Sequence, residues 1–415
     1  MIVAGFTPSH FFCYLLKKER RRRGDILKRL INIDRKEIIF VAVFIVIIGI
    51  LIVIPTGFEK QIYVNAEGVR ARVLETNNST IHRIGLINQG EQRCLIEIET
   101  GVSKGTKVEA VNLFSGKYEF DKVFEEGDRA WVLLEYDGDK IIFANMIDHY
   151  RLNKELALIG IFAAAIILFS GFTGVRTLLS FVFALLSIWK ILIPFMMKGN
   201  NPLFIGLLVG NILTVTTLLL IAGFTKKAYA AIISSIACSL ITAVIAVIFS
   251  NYLKIDGTVM QWSESLLYAG FMNLNLTAIF QAGIYLACSG AILDLAIDIS
   301  AALEEVVNNN PNVTTANLIK SGLTIGKSVV GSQTTTLLLA YMGSYITVMM
   351  VYMAQGTPFM NIINSKAIAA EIVHTFVGCL GLVMVSPLTS VVCGLIYEKS
   401  RLNVDKSKGQ IHASF

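Results

Sequence analysis

The chain has 415 residues, of which 54% are hydrophobic and only 16% charged, against roughly 25% charged in soluble domains. That composition excludes a water-soluble globular fold, because several apolar runs approach the ~20 residues that cross a bilayer as helix. The net charge of +6 is concentrated at one end, since residues 1–37 hold ten Lys or Arg against four acids while the remainder balances.

Lys17, Lys18, Arg20, Arg21, Arg22, Arg23, Lys28, Arg29, Arg35 and Lys36 stand directly before the first apolar run. Such a block reads as a cytoplasmic segment (1–37) that binds anionic lipids of the bilayer surface. A nucleic-acid arm is the competing reading, and nothing downstream resembles a base-reading module. The first sixteen residues are mildly apolar, yet they lack the charge-first order of a secretory signal and are too short to span. They read as a weak interfacial stretch or as residues upstream of the native start. The six cysteines (Cys13, Cys94, Cys238, Cys288, Cys379, Cys393) show no C-x-x-C spacing, so neither a disulfide framework nor a zinc site is expected.

The first span runs from Ile38 to Ile54 and is closed by Pro55 and Gly57. Residues 60–150 then carry short alternating runs punctuated by glycine, the pattern of strands and turns. With the N-terminus cytoplasmic, this β domain is extracytoplasmic. Val69–Val73, Arg93–Ile98 and Trp131–Glu135 read as strands, and Asp137-Gly138-Asp139 is the best hairpin signal in the chain. A small closed barrel, OB-like, suits the spacing because closure removes unpaired strand edges.

Beyond Arg151 the apolar runs predict helices over 155–171, 177–197, 202–223, 229–250, 275–297, 328–354 and 369–396. With the first span these make eight transmembrane helices, seven of them in a membrane domain over 155–396, followed by a cytoplasmic tail over 397–415. The lysine and arginine asymmetry of the loops places both termini on the cytoplasmic side. Two places strain the pattern: 261–276 is amphipathic and reads as surface-lying or re-entrant, and Ser386-Pro387 interrupts the last helix.

Ionisable side chains within hydrocarbon are costly enough to be functional candidates. Asp294, Asp298 and Glu305 follow i, i+4, i+11 spacing on the sixth helix and share one stripe. The seventh begins Gly326-Lys327-Ser328 and continues through Gln333-Thr334-Thr335-Thr336. Gln333 lies about 9 Å inward from Lys327, and Asp294 about 9 Å inward from Ser300, so the two polar patches can meet at equal depth. The expected site is lined by Asp294, Asp298, Gln333, Thr334, Thr335 and Thr336, with Lys327 paired to an acid of the neighbouring helix end. The bland alternative is that these groups bond one another and interfacial water. Glu371 and His374 on the last helix, with Lys190 on the third, form a secondary set near the other surface. Snorkelling and local pairing account for Lys190 and Glu371, while His374 carries a protonatable imidazole and is open to a coupling role.

Enzyme signals fall away. Gly322 to Ser328 has three residues between its first glycine and Gly-Lys-Ser, where a phosphate loop has four. Ala287-Cys288-Ser289-Gly290 lacks the first glycine of a rhomboid-type serine motif, and the aspartates lack the second-helix partner of an intramembrane aspartyl protease. No enzymatic activity and no cofactor are expected.

The Gly290–Glu305 stretch, Gly326-Lys327-Ser328, Thr334 through Gly343, Gly127-Asp128 and Asp148-His149-Tyr150-Arg151 together resemble the YibE/F-like membrane proteins of bacteria, chiefly Gram-positive ones. The likeness runs from about residue 38 to 398 and leaves the N-terminal extension outside. Where that family suggests Asn-Thr-Leu, this chain has Thr335-Thr336-Leu337. The resemblance implies a multi-pass protein of a bacterial plasma membrane. The functional expectation is a transporter or permease for an unknown small solute or ion, linked to a cation or proton; the alternative is a non-transporting envelope scaffold or signalling protein that binds a partner through its exported domain. Substrate and oligomeric state are not legible.

Overall fold

The computed structural model describes residues 35–58 and 65–412, with side chains described for 38–58 and 65–399. Most of the basic N-terminal segment expected to meet anionic lipids therefore lies outside the described residues. The chain divides into two compact units, Glu59–Leu168 and the combination of Met1–Phe58 with Phe169–Phe415.

The first unit is a closed barrel of β1 (Ala66–Asn77), β4 (Glu91–Ile98), β5 (Lys107–Leu113), β7 (Lys140–His149) and β6 (Arg129–Asp137), in that order around the ring. A two-stranded ribbon of β2 (His82–Ile84) and β3 (Ile87–Gln89) sits beside it. β1 closes the ring by pairing antiparallel with both β4 and β6, and its register shifts between Val73 and Glu75. A bulge there bends the strand enough to serve two neighbours. β5 and β7 meet in parallel at Val111 and Asn145, so the order and pairing are those of an OB-like barrel. The period-2 pattern puts Cys94, Ile96 and Ile98 of β4 inside with Val69, Ala71, Val132, Leu134 and Met146. The β6–β7 hairpin turns through Gly138 at φ +58°, a left-handed conformation that glycine adopts without strain.

Two polar side chains enter this core. Gln92 and Asn112 have no exposed surface, and the Asn112 amide donates to Gln92 Oε1 at 3.1 Å. Gln92 also donates to the Phe124 carbonyl at 2.8 Å and accepts from the Phe124 N–H at 3.0 Å. Gln92 is fully paired, which makes its burial tolerable, whereas Asn112 Oδ1 is buried without a partner. After β7 the chain enters α2 (Leu152–Ser170), an apolar helix with no buried residue.

The second unit is helical. It holds α1 (Arg35–Val53), α3 (Phe172–Met197), α4 (Pro202–Ala222), α5 (Lys226–Tyr252), the short α6 (Ser263–Tyr268), α7 (Leu276–Asn309), α8 (Thr315–Ala354), the short α9 (Phe359–Asn364) and α10 (Lys366–His412). Among the described residues seven helices are long and apolar enough to cross a membrane: α2, α3, α4, α5, α7, α8 and α10. The first apolar helix, α1, has a shorter apolar stretch, Ile38–Val53. The mostly exposed segment 261–276 contains only the short α6.

Local chemistry explains several helix ends and irregularities. Asn201 caps α4 by accepting from the N–H groups of Leu203 and Phe204, with Pro202 in the first turn. Within α3 a π-helical turn, Ile188–Leu192, immediately precedes Pro194. A proline lacks an N–H and crowds the carbonyl four residues back, and a wider turn relieves that crowding. Pro387 does not end α10, which runs through it as one helix. Lys190 Nζ donates to the Ile54 carbonyl at 3.0 Å.

The largest core of this unit gathers Cys238 of α5, Cys288, Ile292, Leu295 and Ile299 of α7, Leu337 of α8, and Leu382 and Cys393 of α10. Small residues permit the close approach. A Cβ on Gly326 of α8 meets Ser386 of α10, one on Gly322 meets Ser390, and one on Gly381 of α10 meets Thr242 of α5.

Candidate functional site in the helical unit

Asp294 and Asp298 lie on one exposed stripe of α7. Asp294 lines a cavity of about 230 Å³ with Ser289 and Gly290 of its own helix and Gly210, Thr214 and Thr217 of α4. No residue of α8 lines it. Gln333 and Thr334 are half-buried and Thr335 and Thr336 exposed, and the three hydroxyls donate to the carbonyls of Val330, Gly331 and Ser332 on their own helix at 2.7, 3.2 and 3.1 Å. Asp294 and the Gln333–Thr336 run therefore do not share a cavity.

The reason is rotation about the helix axis, not depth. The α7 residues in the shared core with α8 and α10 include Cys288, Ile292, Ile299 and Leu303. At ~100° per residue Asp294 is turned roughly 120–180° away from each of them. Lys327 is exposed, and the ion pair beside α7 joins Lys227 of α5 to Glu304 at 2.9 Å. The Tyr397 hydroxyl adds a bond to the same carboxylate at 3.4 Å.

The secondary pair is the more enclosed. Glu371 is only 7% exposed, and its Oε2 lies 3.8 Å from His374 Nδ1, one turn along α10. The imidazole stacks on the Tyr341 ring of α8, with centroids 4.3 Å apart. Glu371 Oε1, His374 Nε2, Tyr341 Oη and Thr375 Oγ1 are buried without a hydrogen-bond partner. Glu371 and His374 line a cavity of about 570 Å³ whose other walls come from Phe280 and Gly283 of α7, Ser344 and Tyr345 of α8, and the loop Val259–Gln261. Each orphaned polar atom costs about 1–3 kcal/mol, more when charged. Two of these atoms, on Glu371 and His374, belong to residues that line the cavity, and they mark a place where a ligand, an ion, a proton or water completes the bonding. Lys190 does not line that cavity.

Tyr341, Ser344 and Tyr345 were not singled out from the sequence. The signal was present, since Tyr341 and Tyr345 stand at i, i+4 with a serine between them on an otherwise aliphatic stretch. A third polar group is complete in itself: Tyr285 of α7 and Ser239 of α5 both donate to Asn211 Oδ1 of α4, at 3.1 and 3.3 Å. Gly210 belongs to that junction, because a Cβ there runs into the Tyr285 ring at 2.5 Å. Satisfied buried bonds of this kind join helices within a membrane. Among the described residues no three His, Cys, Asp or Glu side chains gather closely enough to hold a metal ion.

Comparison with curated proteins and with solved structures returned no match. The family model for YibE/F-like protein matches residues 158–399, more than half of the chain. The matched stretch contains Asp294, Tyr341, Glu371 and His374 together with the Tyr285 junction. The chain belongs to the YibE/F-like family.

Proposed function

We propose that the protein is a permease-like transporter that moves a small solute or ion across a bacterial plasma membrane, with both termini cytoplasmic, and that Glu371 and His374 form its cation- or proton-linked site. The observation that carries this reading is the Glu371 carboxylate, nearly buried among apolar helices, with one oxygen unpartnered beside a cavity of about 570 Å³. A carboxylate in that position is expensive unless it exchanges a proton or a cation. His374 against its other oxygen supplies a second protonatable group within one helical turn. Asp294, in its own smaller cavity with Thr214, Thr217 and Ser289, is a second acidic station, and enzymatic chemistry has no part in the reading.

Proteoliposomes holding a pH-sensitive dye and subjected to an imposed pH gradient test this. The wild-type protein is expected to pass protons. Glu371→Gln is expected to lower the rate at least tenfold while keeping expression and melting temperature, with a smaller loss for Asp294→Asn. Proton flux in Glu371→Gln equal to that of wild type overturns the assignment. The rival reading is an envelope scaffold acting through its exported domain, and it is favoured by the basic cavity of the barrel unit described next. A chain lacking residues 65–149 separates the two, since a transporter keeps basal flux.

A further inference from the structure

The barrel unit carries a cavity of about 880 Å³ lined by Arg72, Arg129, Arg151 and Lys154, with Asp128, His149 and Glu155 also in its wall. Four cations thus face two carboxylates and one imidazole, a positive surplus within one concave surface. Some of that charge is already balanced. Arg151 bonds Asp148 at 2.8 Å, His149 Nδ1 lies 3.6 Å from Asp128, and Arg129 lies 3.4 Å from Glu99. The Arg151 bond holds the Asp148 carboxyl below its ordinary range. Arg72 and Lys154 have no carboxylate partner among the described residues, and both are exposed. Unbalanced guanidinium and ammonium groups converging on one hollow fit an anion with several acceptor oxygens, and a guanidinium matches phosphate geometry in particular.

The wall changes character along one direction. It passes from Arg72 and Arg129 on the barrel, through Arg151 and Lys154 at the start of α2, to Leu158 further along that helix. α2 is apolar enough to cross a membrane. A bilayer that α2 spans therefore places Arg151 and Lys154 at the level of the headgroups and Leu158 at the start of the hydrocarbon. A free anion uses only the polar part of such a wall, whereas a lipid phosphate with its glycerol uses all of it.

We propose that this cavity binds a phosphate-bearing anion, with Arg72 and Lys154 as its free ligands and the headgroup of an anionic phospholipid as its source. The site is independent of the transport reading, which rests on α7, α8 and α10.

The test uses the full-length protein in detergent, with lipid retention followed by native mass spectrometry and melting temperature measured in parallel. Phosphatidylglycerol is expected to bind and raise the melting temperature, and phosphatidylcholine, whose headgroup has no net charge, to do neither. The Arg72→Gln, Lys154→Gln double variant is expected to weaken phosphatidylglycerol binding roughly tenfold or more, while Arg72→Lys keeps most of it. Both positions are exposed, and an unchanged melting temperature without lipid verifies the fold of each variant. Inorganic phosphate is the second arm: competition at millimolar concentration supports the phosphate site and points to free phosphate as its source, and no competition supports the lipid. Equal retention of the two lipids, or unchanged phosphatidylglycerol binding in the double variant, overturns the proposal.

Discussion

The Tyr341 ring of α8 lies on the His374 imidazole of α10, with centroids 4.3 Å and planes 28° apart, and the Tyr341 hydroxyl has no partner. The ring therefore contributes packing, and the hydroxyl contributes no protein hydrogen bond. Tyr341→Phe is expected to keep the stack and leave the melting temperature in detergent equal or slightly higher. Tyr341→Ala removes the aromatic surface and is expected to cost about 3–5 kcal/mol. Equal damage from the two substitutions shows that the hydroxyl has a partner after all.

Gly326 is set so close to Ser386 that any added carbon must displace one helix from the other. Gly326→Ala is expected to destabilise the α8–α10 contact by roughly 1–3 kcal/mol through overpacking. The compensating change, Ser386→Gly, removes both atoms that the new methyl meets. The double variant is expected to recover most of the loss in melting temperature, and a purely additive pair shows that the contact does not exist as described.

Asp256 bonds Lys366 at 2.5 Å and Thr258 at 2.5 Å, tying the loop before α6 to the start of α10. The lysine, then the threonine, hold the Asp256 carboxyl below its ordinary range. A depressed carboxylate stabilises the fold above its unfolded pKa of roughly 3.9, and that contribution is lost as pH falls through the still lower folded value. Both side chains are nearly half exposed, so the effect is at most about 1 kcal/mol. Hydrogen-exchange protection over residues 253–262, taken relative to the intrinsic rate at each pH, is expected to fall below about pH 4 in the wild type. In Asp256→Asn the protection is already lower at neutral pH and loses most of its acid sensitivity, and an identical acid response in that variant removes the ion pair as the cause.

What was legible in the sequence follows from how local each feature is. The β6–β7 turn was visible because Asp137-Gly138-Asp139 needs a left-handed residue at its tip, and Gly138 supplies it. β5 was not, because its inward positions are Val108, Ala110 and Asn112, a small and partly polar set whose amide finds its partners, Gln92 and the Lys122 carbonyl, only in the folded barrel. Among the helices, the expected spans of 275–297 and 328–354 stop short of α7 and α8. Hydropathy marks what hydrocarbon tolerates, whereas a helix continues for as long as its backbone bonds and packing allow. Glu371 and His374 stood out as ionisable groups in an apolar helix. Their company with Tyr341 did not, because sequence sets the depth of a residue on a helix, and the rotation that decides its neighbours is fixed only by packing. The same limit explains why Asp294 faces α4 instead of Gln333.

α7 has 34 residues and α8 has 40, so at 1.5 Å per residue they are about 50 and 60 Å long, against a hydrocarbon slab of roughly 30 Å. Their joined ends carry Glu304, Glu305, Asn317 and Lys320, the polar residues that belong beyond that slab. In a bilayer that the pair crosses, it resembles an oar whose blade reaches past the hydrocarbon and whose shaft passes the Tyr341 stack. A tilt of only about 10° around the bilayer centre sweeps such a blade through distances on the order of 5 Å. Labels near the tip will therefore register movements too small to see at the stack itself.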